Sequence, residues 1–257
     1  NRPGGRPSIA GALTAAAQPV CDAGTRTPWS AELLTRLLDS HGCMREDTEE
    51  AVRAAEADGS IAGLDAHVLG LALSLLRDRS ARFPRLQVNL SARSLLHPGF
   101  LEEWLTRLRT ADLGGRLLVE LDAASLIGTR RIVHGPLHAL AATGALLALD
   151  DVTGAPEELA LLRDLPVAQI KLEGSLVQAA AGGRRMAQDR VAGAIHAAQW
   201  RGAQTVAKSV ETEAHFALAR AFGADLVQGH LTGRPMLVLA SRPVHRARPT
   251  RREPALA

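Results

Sequence analysis

Residues 145–172 read ALLALDDVTGAPEELALLRDLPVAQIKL. The first five form an apolar run, too short for a typical helix and of the right length for a buried strand. The run stops at two adjacent carboxylates, Asp150 and Asp151. A turn containing Gly154 and Pro156 leads into an amphipathic stretch over 156–165. A second apolar run, 167–170, stops at Lys171. The pattern predicts strand–helix–strand, with charge at the carboxyl end of each strand. In parallel α/β architectures those ends form the functional face. Taken alone, the Asp pair also reads as a helix cap beside a solvated neighbour.

The same rhythm extends both ways. Strands are predicted over 15–20, 31–38, 85–90, 116–121, 203–210 and 225–228. Helices are predicted over 46–57, 64–77, 98–110, 130–142, 184–201 and 212–222. Polar residues stand near the ends of successive strands: Glu32, Asn89, Glu120, Asp150, Asp151, Lys171, Lys208, Glu211 and Gln228. Their spacing averages about 30 residues, one βα unit of an eight-stranded barrel. Such a barrel gathers these side chains at one mouth.

Composition bounds the reading. The chain has 257 residues, 46% of them hydrophobic, enough for one large domain or two small ones. The unbroken rhythm favours one. Aromatics make up 3%, so the core must be aliphatic. Cys21 and Cys43 lack metal or redox spacing, which fits a reduced, cytoplasmic setting. No apolar run approaches the roughly 18 residues of a membrane helix. The net charge of +3 comes from the end of the chain: Arg242, Arg246, Arg248, Arg251 and Arg252 face one acid, Glu253. Without that segment 25 basic and 26 acidic residues remain, a net of −1. An Arg/Pro-rich tail without aromatics reads as a solubilising linker rather than an arm for a nucleic-acid polymer. Residues 1–17 loosely mimic a signal peptide, but Gly11 and Thr14 interrupt the apolar part. Beginning at Asn1, the sequence reads as excised or processed. The expected organisation is a flexible leader over 1–11, a barrel over 12–236 and a flexible tail over 237–257.

Four carboxylates and an Asn amide form a hard-oxygen set suited to Mg²⁺ or Mn²⁺. Adjacent aspartates can bridge two metals about 3.5–4 Å apart, the arrangement used for phosphodiester hydrolysis. A nearby lysine can neutralise charge on the phosphorus. The alternative is a purely electrostatic network in the barrel mouth.

The segments QPV (Gln18), ELLTR (Glu32, Arg36), NLSARSL (Asn89), VELD (Glu120), ALDD (Asp150, Asp151), LPVAQIKLE (Lys171), VAKSVET (Lys208, Glu211) and QGHLTGRP (Gln228, Arg234) run in order from Gln18 to Pro235. As a set they resemble the EAL domain, the cyclic di-GMP phosphodiesterase family. The resemblance implies a modified TIM-type (β/α)8 barrel, an α/β fold with an antiparallel first strand. It implies metal-dependent opening of cyclic di-GMP to pGpG. It assigns metal binding to Glu32, Asn89, Glu120, Asp150 and Asp151. Substrate binding falls to Gln18, Arg36, Gln228 and Arg234, and catalysis to Lys171, Glu211 and the position of Lys208.

Three departures follow. The name-giving triplet reads Glu32-Leu33-Leu34, which keeps the metal-binding Glu. The family loop DDFGTGYSSL reads DDVTGAPEEL, and the glutamate that steadies it is Ala123 here. Residues 152–158 are therefore expected to make a poor dimer switch. The family's EGVE reads Lys208-Ser209-Val210-Glu211. Its first Glu is associated with the second metal and with activating water; an ammonium cannot ligate a cation. Lys208 is expected to stand among Asp150, Asp151 and Glu211 as a fixed internal cation, leaving one metal site. The alternative has Lys208 swung outward. The expected function is a degenerate EAL domain that binds cyclic di-GMP or a protein partner, beside a GGDEF or sensor domain or as a homodimer, with hydrolysis lost or severely impaired. The alternatives are an active phosphodiesterase and a scaffold that binds no nucleotide.

Overall fold

Two long strands, β1 (Ala12–Asp22) and β2 (Pro28–Leu38), pair antiparallel. Six further strands follow parallel to β2: β3 (Leu86–Asn89), β4 (Leu117–Asp122), β5 (Leu146–Val152), β6 (Val167–Leu172), β7 (Gln204–Ala207) and β8 (Leu226–Val227). The sheet closes where Cys21 and Asp22 of β1 pair with β8. The result is a mixed α/β eight-stranded barrel whose first strand is antiparallel. A ninth strand, β9 (Met236–Val238), lies along Ala15 to Ala17 of β1. The computed structural model describes residues 12–39, 41, 43–77, 83–97, 99–111 and 113–238.

The connections carry helices α1 (Thr48–Asp58), α2 (Ile61–Arg77), α3 (Ala92–Leu95), α4 (Phe100–Arg109), α5 (Ala123–Ile127), α6 (Arg130–Ala141), α7 (Pro156–Asp164), α8 (Gly174–Ala181), α9 (Arg185–Trp200) and α10 (Glu213–Ala221). Their ends are legible locally. Gly59 takes the left-handed conformation that ends α1. Asp122 and Thr212 accept backbone N–H groups at the starts of α5 and α10. Pro156 opens α7, where its missing N–H costs nothing.

Period-two alternation sorts the strands into layers. Outward-facing Leu, Val and Ile join the helices in one aliphatic core. Inside, Val20, Val206 and Leu226 form a small apolar cluster of their own. The Gln87 amide reaches Ser30 Oγ (2.7 Å) and Gln169 Oε1 (3.3 Å). Two residues further along each strand stand Glu32, Asn89, Lys171, Lys208 and Gln228, so the mouth becomes charged by the same alternation.

Most elements match the sequence reading within a few residues; five do not. The strand expected over 203–210 ends at Ala207, and the chain turns at Ser209, which takes a left-handed φ of 55°. Helices α3, α5 and α8 were not expected; α3 and α5 are too short for a helical period to register. Leu237 and Val238, read as tail, lie in β9. Residues 1–11 and 239–257, read as leader and tail, and Pro98 lie outside the described residues.

Candidate active site

Lys171 organises the mouth. Its side chain is fully buried, and its Nζ lies 2.6 Å from Glu32 Oε2 and 2.8 Å from each Glu120 carboxylate oxygen. Glu32 also accepts from Asn89 Nδ2 (3.2 Å) and Gln228 Nε2 (2.7 Å). Residues from β2, β3, β6 and the end of β8 thus meet through one carboxylate, and Lys171 joins Glu120 of β4 to them. Gln18 faces Glu32 in the β1–β2 register and donates to Gly233 O (3.2 Å). A Cβ at Gly233 would lie 2.3 Å from Pro19, so glycine lets the Gly-Arg-Pro turn close on Gln18.

A second cation stands beside the first. Lys208 Nζ lies 2.8 Å from Asp150 Oδ1 and 2.6 Å from Asp151 Oδ1. Neighbouring strand residues normally point to opposite faces, so adjacent aspartates should not share a partner. Here Asp151 takes φ 53°, and the β5–β6 register shifts between Leu149 and Val152. This irregularity breaks the alternation and brings both carboxylates to Lys208. The expectation that Lys208 meets Asp150 and Asp151 agrees with this geometry. Glu211 does not join them: it is exposed, and among the described residues no ion pair links it to Lys208. Arg36 is half-buried and donates to Thr35 O, while Arg234 is exposed; neither bonds to the carboxylates.

The charges are unevenly shared. Burial works to raise the Glu32 carboxyl, yet Lys171 together with Gln228 and Lys208 outweighs it and holds the group at about 2. Burial pushes Glu120 up to about 8, with the Glu32 charge adding to it and Lys171 opposing. Glu32 therefore keeps its charge, and Glu120 takes the proton first. Burial opposes the charge on Lys171, but Glu120, Glu32 and Asp150 carry its pKa well above the ordinary lysine value. Lys208 is raised too: burial opposes its charge, and Asp150 and Asp151 together outweigh burial and the neighbouring Lys171.

Sequence reading missed several supports. Glu158 is buried and accepts Thr153 N–H (2.8 Å), Ala155 N–H (3.2 Å) and the Thr153 hydroxyl. It braces the 152–158 loop from within, and its place three residues after Ala155 was the available signal. A cleft of about 370 Å³ beside the mouth is lined by Thr35, Glu56, Asp65, Asn89, Arg93 and Glu120 among others. Asp65 is 5% exposed and accepts Ser91 N–H at 3.0 Å, tying α2 to the loop after Asn89. Nothing in the spacing of α2 marks it.

Burial pushes Asp65 up to about 7 from an ordinary 3.8. Between those values the folded chain binds more protons than the unfolded one. The stabilisation is full below the lower value and is lost as pH rises through the upper. The urea midpoint of the wild type should therefore fall from pH 5 to 8. Asp65→Asn should flatten that fall by at most about 1.4 kcal/mol per pH unit, leaving a residual slope from Glu120. A mutant profile as steep as the wild type's would refute the assignment.

The fold and mouth define a barrel with an acidic, lysine-bridged centre at its carboxyl end. A profile of the EAL domain matches residues 7–235, and the chain belongs to that family. It is 33% identical over 191 residues to the cyclic di-GMP phosphodiesterase PA2567 of Pseudomonas aeruginosa, covering 73% of this chain and 32% of that protein. The chain thus spans about a third of that relative's length. Among solved structures, the EAL domain of FimX from Pseudomonas aeruginosa bound to c-di-GMP superposes with a TM-score of 0.76 at 25% identity, covering 87% of this chain and 90% of that one. The PaMucR phosphodiesterase in its c-di-GMP complex gives a TM-score of 0.78 at 24% identity, covering 87% and 92%, a likeness of fold. No helix among the described residues is long and apolar enough to cross a membrane.

Proposed function

We propose that this EAL domain binds cyclic di-GMP, or a protein partner through the same mouth, with phosphodiesterase turnover lost or severely impaired. One observation carries the reading: Lys208 Nζ sits within 2.8 Å of both Asp150 and Asp151 carboxylates. Those oxygens are the ones a second divalent ion would need, and an ammonium already neutralises them. Glu32, Asn89, Glu120 and Asp150 supply the hard oxygens that suit one Mg²⁺ or Mn²⁺. Among the described residues, however, no three His, Cys, Asp or Glu side chains stand close enough to hold an ion as they are. Bound there, such an ion would polarise a phosphate oxygen. Lys171 orders Glu32 and Glu120, and the amides of Gln18 and Gln228 stand beside them. The P. aeruginosa relative carries phosphodiesterase in its name, which favours retained activity as the second reading. Incubation with cyclic di-GMP and Mn²⁺, measuring binding and pGpG together, separates the two: binding without product supports the first, and steady product the second.

Binding should depend on Arg36, whose planar donor fork suits a phosphate and lies on β2 two repeats of the pleat beyond Glu32. Arg36→Ala is expected to weaken cyclic di-GMP affinity by about tenfold or more, the worth of one charge-assisted hydrogen bond. Gln18→Ala should weaken it in the same direction. Calorimetric titration at fixed salt measures both. An Arg36→Ala protein that binds as tightly as the wild type counts against the pocket.

A further inference from the structure

We propose that His215, with Gly174 opposite it, is a positioning residue that holds the left-handed turn at Ser209 and thereby aims Lys208 at Asp150 and Asp151. Lys208 lies just past the end of β7, where no strand pairing fixes it. Directly after it the chain turns at Ser209, which takes φ 55°. A serine adopts that conformation only when its surroundings impose it.

Two neighbours do so. The His215 ring reaches back from the first turn of α10, and its Nδ1 lies 3.3 Å from Ser209 O and 3.3 Å from Glu211 N. A bare Nδ1 accepts the Glu211 N–H, and a protonated Nδ1 donates to the Ser209 carbonyl. It serves one at a time, yet in either tautomer it ties the turn to α10. His215 is itself held, because its N–H donates to Thr212 Oγ1 at 3.2 Å. On the other side, Gly174 opens α8 with no side chain. A Cβ there would stand 2.1 Å from Ser209 Oγ and 2.8 Å from Ser209 Cβ. The turn is completed by Val210 N–H to Gln228 O (3.0 Å) and Leu231 N–H to Val210 O (3.1 Å). The far side of the turn is thus pinned to the strand end that carries Gln228.

The turn geometry stands by itself; its importance for nucleotide handling rests on the function proposed above. The chain contains only two lysines, Lys171 and Lys208, which makes a clean test. Amine acetylation of the intact protein, read by peptide mass spectrometry, reports both. Lys171, fully buried, marks the integrity of the barrel. In the wild type, Lys208 should react slowly because two carboxylates engage it. His215→Ala should speed Lys208 acetylation about tenfold, the loss of one net hydrogen bond, while Lys171 stays unreactive. His215→Asn, whose amide oxygen falls near the Nδ1 position, should return the rate to within about twofold of wild type. Gly174→Ala should speed Lys208 as His215→Ala does. An unchanged Lys208 rate in His215→Ala overturns the proposal. So does a rise shared with Lys171, which marks a loosened barrel, or an Asn variant that behaves like Ala. Failure of the wild type to bind nucleotide would leave these rates untouched, so the two readings fail separately.

Discussion

Lys208→Glu is expected to raise phosphodiesterase activity in Mn²⁺ well above that of the wild type. The substitution changes the local charge by two units, from +1 to −1, beside Asp150 and Asp151. In the wild type the ammonium satisfies one oxygen of each aspartate at 2.8 and 2.6 Å. Removing it leaves two carboxylates whose mutual repulsion a divalent ion relieves. A carboxylate at 208 also restores a group that can ligate a cation or take a proton from water. The expected gain in pGpG formation is about 10²–10⁴-fold, the span of a positioned general base. A parallel readout needs no turnover: Mn²⁺ should raise the melting temperature of the variant more than that of the wild type, because it binds only the folded form. Robust pGpG formation by the wild type overturns the reading. If Mn²⁺ stabilises the variant but product does not appear, the remaining defect lies in the 152–158 loop, where Glu158 and Thr153 replace the family arrangement.

The largest loss of stability is expected from Lys171→Met. Methionine fills the volume of the lysine stem but removes the one cation shared by Glu32 and Glu120. The three side chains are 0%, 8% and 0% exposed, so no water screens what is left behind. Breaking a buried pair from one side costs about 3–5 kcal/mol, a large fraction of the whole stability of a domain. Urea denaturation at pH 7 measures it. Adding Glu32→Gln should recover part of the loss, because the orphaned charge is removed while its shape is kept. A Lys171→Met midpoint equal to the wild type's would refute the prediction.

Much of this was present in the order of residues. Apolar runs ending in Asn89, Glu120, Asp150 and Lys171, about 30 residues apart, announce a barrel because side-chain alternation and βα length are local properties of the chain. The family motifs carried the antiparallel first strand, and the Lys-for-Glu exchange at 208 was visible as a change of charge. Tertiary structure decided the rest. That one carboxylate, Glu32, binds Asn89, Lys171 and Gln228 depends on strands up to 196 residues apart closing on one axis. That Asp150 and Asp151 share one lysine depends on the left-handed backbone at Asp151, which no residue type prescribes. Asp65, Glu158 and His215 carried no signal strong enough to single them out in sequence, since each acts on a backbone N–H or carbonyl. A motif names side chains; it does not say which main-chain groups a fold leaves in need of a partner, and that need is what placed these three around the mouth.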